Sequence, residues 1–128
     1  MTRTGHCLCG AVSFAFEGEA NWCSHCHCES CRRQTASAFT TFLGVPDGAW
    51  KWTGEVPKVF VSSPGVRRMF CGTCGAPVAY AAERYPGETH FYVALLDDTS
   101  DLSPESHVHW EERVDWVELA DGLPKKEG

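Results

Sequence analysis

No run of apolar residues in the sequence approaches the ~18 that a membrane span requires, so no membrane partner is expected. The opening residues, MTRTGHCLCG, lack the apolar middle of a secretory signal, and the expected location is cytoplasmic. Long basic tracts are missing too. The only Arg or Lys doublets are Arg32-Arg33, Arg67-Arg68 and Lys125-Lys126, and the formal net charge is -6. A stripe that could track phosphates is therefore absent, and nucleic acid is a poor partner. Nor is there an internal repeat, long linker or low-complexity tract to mark a domain boundary. The 128 residues read as a single domain, 1–128, with its core over about 5–124 and a polar tail, 123–128, that is expected to fray.

Helical periodicity is scarce, and what replaces it is a series of short strands. Residues 11–17, AVSFAFE, set Val12, Phe14 and Phe16 against Ser13, Ala15 and Glu17, the period of two of a half-buried strand. Runs at 49–53, 56–62, 66–71, 77–82 and 89–96 are rich in β-branched and aromatic residues. Glycine and proline punctuate them at Gly48, Gly54, Pro64-Gly65, Gly72, Gly75 and Pro86-Gly87. The fold class is mainly β, with short antiparallel strands and little helix. Helix fits in two places, after Cys28 in ESCRRQTASA and in SHVHWEERVDWVELA. Periodicity alone does not decide the second, which we read as two strands, on Val108/Trp110 and Val114/Trp116. The five tryptophans and seven phenylalanines read mainly as core.

What the chain has in abundance is cysteine. Eight in this length mean disulfides or metal, and without a secretion signal metal is favoured. Cys7 and Cys9 in CLCG have the number and chemistry to complete a site with Cys71 and Cys74 in CGTCG, a zinc-knuckle turn in which small residues let amides point at sulfur. That makes a closed site of four thiolates, whereas an iron–sulfur cluster is disfavoured because the spacings match no common ferredoxin pattern. The stretch CSHCHCESC, 23–31, has two readings. Cys23, Cys26, Cys28 and Cys31 could form a second closed box, but only one residue separates the two pairs, where four-cysteine sites usually leave ~15 or more. Alternatively Cys26, Cys28 and Cys31 hold one zinc with a vacant fourth position, and Cys23 is a neighbour. His25 and His27 read as hydrogen-bonding groups beside the cysteines, not as ligands.

GHCLCGAVSF, CHCESCRR, SSPGVRRMFCGTCGAPV, the LDD at 96–98 and HVHWEERVDWVELADGLP together resemble the glutathione-dependent formaldehyde-activating enzyme family, from about Gly5 to Pro124. The resemblance implies a zinc-containing β-tent fold and two Zn2+ per chain. It implies a structural zinc on Cys7, Cys9, Cys71 and Cys74, and a second on Cys26, Cys28 and Cys31 near the substrate. It also implies formation of S-(hydroxymethyl)glutathione from glutathione and formaldehyde, a carbon–sulfur lyase activity. Ala36 stands where members often have glycine, and Ala94-Leu95 replaces a glycine-containing pair before LDD.

The chemistry is sound without the resemblance. A thiol that meets a zinc held by three thiolates loses its proton, can add to a small aldehyde, and can leave again by the reverse step. Three thiolates overcompensate the metal charge, which suits a thiol holder better than a water activator. A carboxylate-bearing thiol such as glutathione needs cationic donors nearby, and Arg32 and Arg33, directly after Cys31, are the candidate substrate-binding residues. Their alternative reading is a solvated surface pair. The alternative function is a non-catalytic zinc module for a protein or small-molecule partner.

Overall fold

In the computed structural model, which describes residues 1–128, alternation of apolar and polar side chains sorts ten strands into two sheets. The small antiparallel sheet has the order β1-β2-β5, from β1 (Thr2–His6), β2 (Ser13–Glu17) and β5 (Trp50–Trp52). The large sheet contains β3 (Trp22–Cys26), β4 (Thr40–Pro46), β6 (Lys58–Ser63), β7 (Val66–Phe70), β8 (Pro77–Ala82), β9 (Glu88–Tyr92) and β10 (His107–Val108). Its order is β10-β3-β4-β9-β8-β7-β6, antiparallel except for the parallel pair of β10 with β3. The fold is mainly β, as expected, and no helix is long and apolar enough to cross a membrane.

The core lies between the sheets. Phe14 and Phe16 of β2 meet a row that the register draws across the large sheet, Leu43–Phe91–Ala79–Met69. Phe14 stacks on Phe91 with ring centroids 4.5 Å apart. Each of these fully buried phenylalanines contributes about 1.5–3 kcal/mol. The neighbouring row, Trp22–Gly44–His90–Tyr80–Arg68–Phe60, belongs to the opposite face, because side chains alternate along every strand. Gly44 is required there, since a Cβ would run into the Trp22 indole.

The strands at 49–53, 56–62, 66–71 and 77–82 lie where the sequence placed them, within a residue or two, and β2 occupies most of 11–17. β1, β3 and β4 were not anticipated. β4 runs through the middle of the large sheet with buried residues on both faces, which erases the alternation that marks a half-buried strand. The run at 89–96 is a strand only to Tyr92, continuing as a 3-10 turn over Val93–Leu95.

The two strands expected in SHVHWEERVDWVELA are corrected. Only His107–Val108 is strand, followed by a 3-10 turn over Trp110–Glu112. The apparent Val114/Trp116 alternation does not make a buried face, as Val114 is only half-buried and Trp116 is 74% exposed. The tail is hydrogen-bonded to the segment around β10. His107 donates its amide to Pro124 and accepts from Lys126, both at 2.8 Å, and Trp110 donates to Lys126 at 2.9 Å.

The helix after Cys28 forms as expected. α1 (Glu29–Thr35) starts where the Cys28 sulfur accepts the Cys31 amide at 3.3 Å, with Glu29 in its first turn and Arg32 and Arg33 in its last. It ends at Ala36, whose φ of 54° and ψ of 41° place a Cβ-bearing residue in the left-handed region that glycine prefers at helix ends. Ala36→Gly is therefore expected to stabilise the protein by about 1 kcal/mol, read as a raised denaturation midpoint; a lowered midpoint would contradict it.

Candidate metal centres

Two clusters of sulfur stand at different places in this fold. Cys7 and Cys9 follow β1, and Cys71 and Cys74 follow β7, so four ligand atoms converge from turns more than sixty positions apart. All four Sγ atoms lie within 4.8 Å of one another, with Cys7–Cys9 and Cys9–Cys71 at 3.7 Å. A tetrahedron with Zn–S bonds of ~2.3 Å has edges of ~3.8 Å, so the donor set fits zinc in both chemistry and spacing. Backbone amides aim at these sulfurs: Val12 at Cys7 (3.4 Å), and Thr73 and Cys74 at Cys71 (3.3 and 3.4 Å). The Cys74 amide, aided by that of Thr73, holds the Cys71 thiol down to about 6.

The second cluster joins Cys26, at the end of β3, to Cys28 and Cys31 at the start of α1. Their Sγ atoms also fall within 4.8 Å, with Cys26–Cys31 at 3.9 Å, the edge length that suits three corners of the same tetrahedron. Hydrogen bonds from the Cys26 and Cys31 thiols, and then from the Cys31 amide, hold Cys28 down to about 2. Side-chain contacts with Cys28 and Cys31, together with burial, push Cys26 up.

Cys23 stands apart. Three positions from Cys26 on one strand, it projects from the opposite face into the core between the sheets, where burial pushes its thiol up. His25 and His27 also lie outside the sulfur cluster. His27 Nε2 meets His107 Nδ1 at 2.8 Å, and His107 Nε2 meets Asp121 Oδ2 at 2.8 Å, a chain buried at both histidines and exposed at Asp121 that ties the cysteine loop to the C-terminal segment. His25 Nδ1 is 2.8 Å from Thr41 Oγ1.

The three-cysteine cluster forms part of the wall of a cavity of about 720 Å³, and the four-cysteine cluster does not. The cations in that wall are Arg68, Arg84 and Lys126. Arg32 instead donates to the His27 and Glu112 carbonyls, at 3.3 and 3.0 Å. Arg33 pairs with Glu29 at 2.8 Å, and neither Arg32 nor Arg33 lines the cavity. Arg68 is 5% exposed, and its Nη1 donates to Cys31 Sγ at 3.6 Å. In the sequence it shows as half of a doublet within SSPGVRRMFCGTCGAPV, with no role assigned, and its place becomes visible once the register sets it beside Tyr80.

The family model for the glutathione-dependent formaldehyde-activating enzyme matches residues 2–112. The chain belongs to that family. A similar protein is an uncharacterized lyase of Schizosaccharomyces pombe, 34% identical over 77 residues. The aligned stretch is 60% of this chain and spans 56% of that relative. Among solved structures, the chain resembles a Rhodobacter sphaeroides protein at 23% identity with a TM-score of 0.61, covering 79% of this chain and 91% of that one. That likeness is one of fold. The Cys26, Cys28 and Cys31 cluster and both cysteine pairs of the other centre fall inside the region that the family model matches.

Proposed function

We propose that this member of the family is a zinc-dependent carbon–sulfur lyase, joining a carboxylate-bearing thiol of the glutathione type to a small aldehyde and cleaving the adduct in reverse. The observation that carries the reading is the three-cysteine centre in the cavity wall, beside a separate four-cysteine centre that takes no part in the cavity. Three ligands leave a coordination position for substrate, and four close it. Family membership and the lyase relative support the same class of reaction.

Zinc held by Cys26, Cys28 and Cys31 would supply a position at which an incoming thiol gives up its proton. The chain's own side chains do the rest. Arg84 and Lys126 offer charge to the thiol's carboxylates, and Trp22, Tyr80 and Tyr85 give the wall its flat apolar surfaces. In the forward direction the sulfur adds to the carbonyl carbon, and the carbonyl electron pair moves to oxygen, which takes up a proton. His109 lines the cavity with its Nδ1 3.3 Å from Glu112 Oε2, so its Nε2 is suited to pass that proton. The reverse reaction returns the proton and breaks the same carbon–sulfur bond.

Exchange spectroscopy of glutathione with formaldehyde tests the assignment, because it detects acceleration of a reaction that also proceeds unaided. Exchange between free and hydroxymethylated glutathione is expected to speed up in proportion to protein concentration. A zinc-loaded protein that leaves the rate at background would exclude this substrate pair and favour a non-catalytic binding module.

A further inference from the structure

Arg68 is a buried cation without a carboxylate partner. It stands on β7 with 5% exposure, and none of the chain's ion pairs includes it. Its Nε donates to Ser62 Oγ at 3.1 Å, and its Nη1 to Gln34 Oε1 at 3.1 Å and to Cys31 Sγ at 3.6 Å. Gln34 Oε1 is held in turn by the Tyr92 hydroxyl at 2.8 Å, and the guanidinium lies 5.0 Å from the Tyr80 ring centroid. The neutral partners orient the group, but they supply no counter-charge. Burying a guanidinium without one is strongly unfavourable. The single anionic group within its reach is sulfur: three thiolates on a divalent ion carry one net negative charge, which one arginine balances.

We propose that Arg68 is a positioning residue of the three-cysteine centre, whose permanent charge and hydrogen bond to Cys31 Sγ set how tightly that centre holds its divalent ion. The inference rests on the reading that Cys26, Cys28 and Cys31 bind such an ion. It extends that reading to a residue that is 37 positions from Cys31 and outside the CHCESC stretch that carries the three cysteines. Hydrogen bonds to ligating sulfur lower the energy of the bound thiolate, and groups of this kind typically change metal affinity 10–100-fold. The four-cysteine centre, which Arg68 does not touch, serves as an internal control.

The test is competition of the full-length, zinc-loaded protein with a chromophoric chelator, in wild type, Arg68→Met, Arg68→Gln and Arg68→Lys. Wild type is expected to hold two ions. Both neutral variants should release one of them about 10–100-fold more readily while keeping the other at wild-type affinity, and lysine should recover most of the loss. If methionine does not fold in place of arginine, glutamine, which can still bond Ser62 and Gln34, carries the comparison. Wild-type affinity for both ions in a folded neutral variant overturns the proposal, as does a lysine variant no better than glutamine. A wild type that takes up only one ion instead removes the reading of the three-cysteine centre, and the role of Arg68 with it.

Discussion

Cys71→Ser is expected to abolish cooperative folding, not merely to lower the melting temperature. The Cys71 side chain is fully buried, its sulfur accepts the Thr73 and Cys74 amides, and it stands 3.7 Å from the sulfur of Cys9. Through it the turn after β7 in the large sheet is tied to the turn after β1 in the small one. Structural zinc contributes on the order of 10 kcal/mol at neutral pH, and a domain of this size is stable by about 5–15 kcal/mol, so losing the ion removes most or all of the margin. Serine fits the space, yet its hydroxyl does not ionise near neutral pH and cannot replace a thiolate. Circular dichroism melts with parallel metal analysis measure the effect, and a strong chelator should reproduce it on the wild type. A sharp melt within a few degrees of wild type, in a Cys71→Ser protein lacking one ion, would show that the sheets hold together without this centre.

The convergence of Cys7 and Cys9 with Cys71 and Cys74 was legible in the sequence because two thiols on one tight turn are a local property, and two such pairs have the number and chemistry for one four-sulfur cluster. Register was not legible. Cys23 reads as a neighbour of Cys26 when the stretch 23–31 is taken as a loop. Once Trp22–Cys26 is a strand, an odd separation sends the two sulfurs to opposite faces. β4 hid for a related reason, since burial on both faces leaves a run without a period. Arg68 reaches the cavity through strand pairing, Arg84 from the turn after β8 and Lys126 through the hydrogen-bonded tail, and none of these placements is written in residues adjacent to a cysteine. Arg32 and Arg33 are adjacent to one, but the helix that Cys28 caps turns them toward the His27 carbonyl and Glu29. Sequence proximity marks ligands in a turn well and cavity walls poorly, because walls are assembled across a sheet.

Replacing Cys28 is expected to separate fold from function where replacing Cys71 cannot. Cys28 has two jobs: its sulfur belongs to the three-cysteine cluster, and it accepts the Cys31 amide as the N-cap of α1. Alanine removes both. Losing the cap costs about 1 kcal/mol, well inside the margin of a domain whose other centre is intact. Serine is among the best N-cap residues, so Cys28→Ser should regain that 1 kcal/mol over Cys28→Ala while remaining a poor zinc ligand. Both variants should melt cooperatively, carry one ion in place of two, and lose the acceleration of thiol–aldehyde exchange by at least about 100-fold. That is the upper end for changes in the groups around a ligand, and removing a ligand itself does more. The stability difference between the two variants reads the cap alone, and their shared inactivity reads the ligand alone. A serine variant that keeps the wild-type exchange rate with a single bound ion would place the chemistry outside the three-cysteine centre, because the cavity wall would then be working without an ion on the three sulfurs that line it.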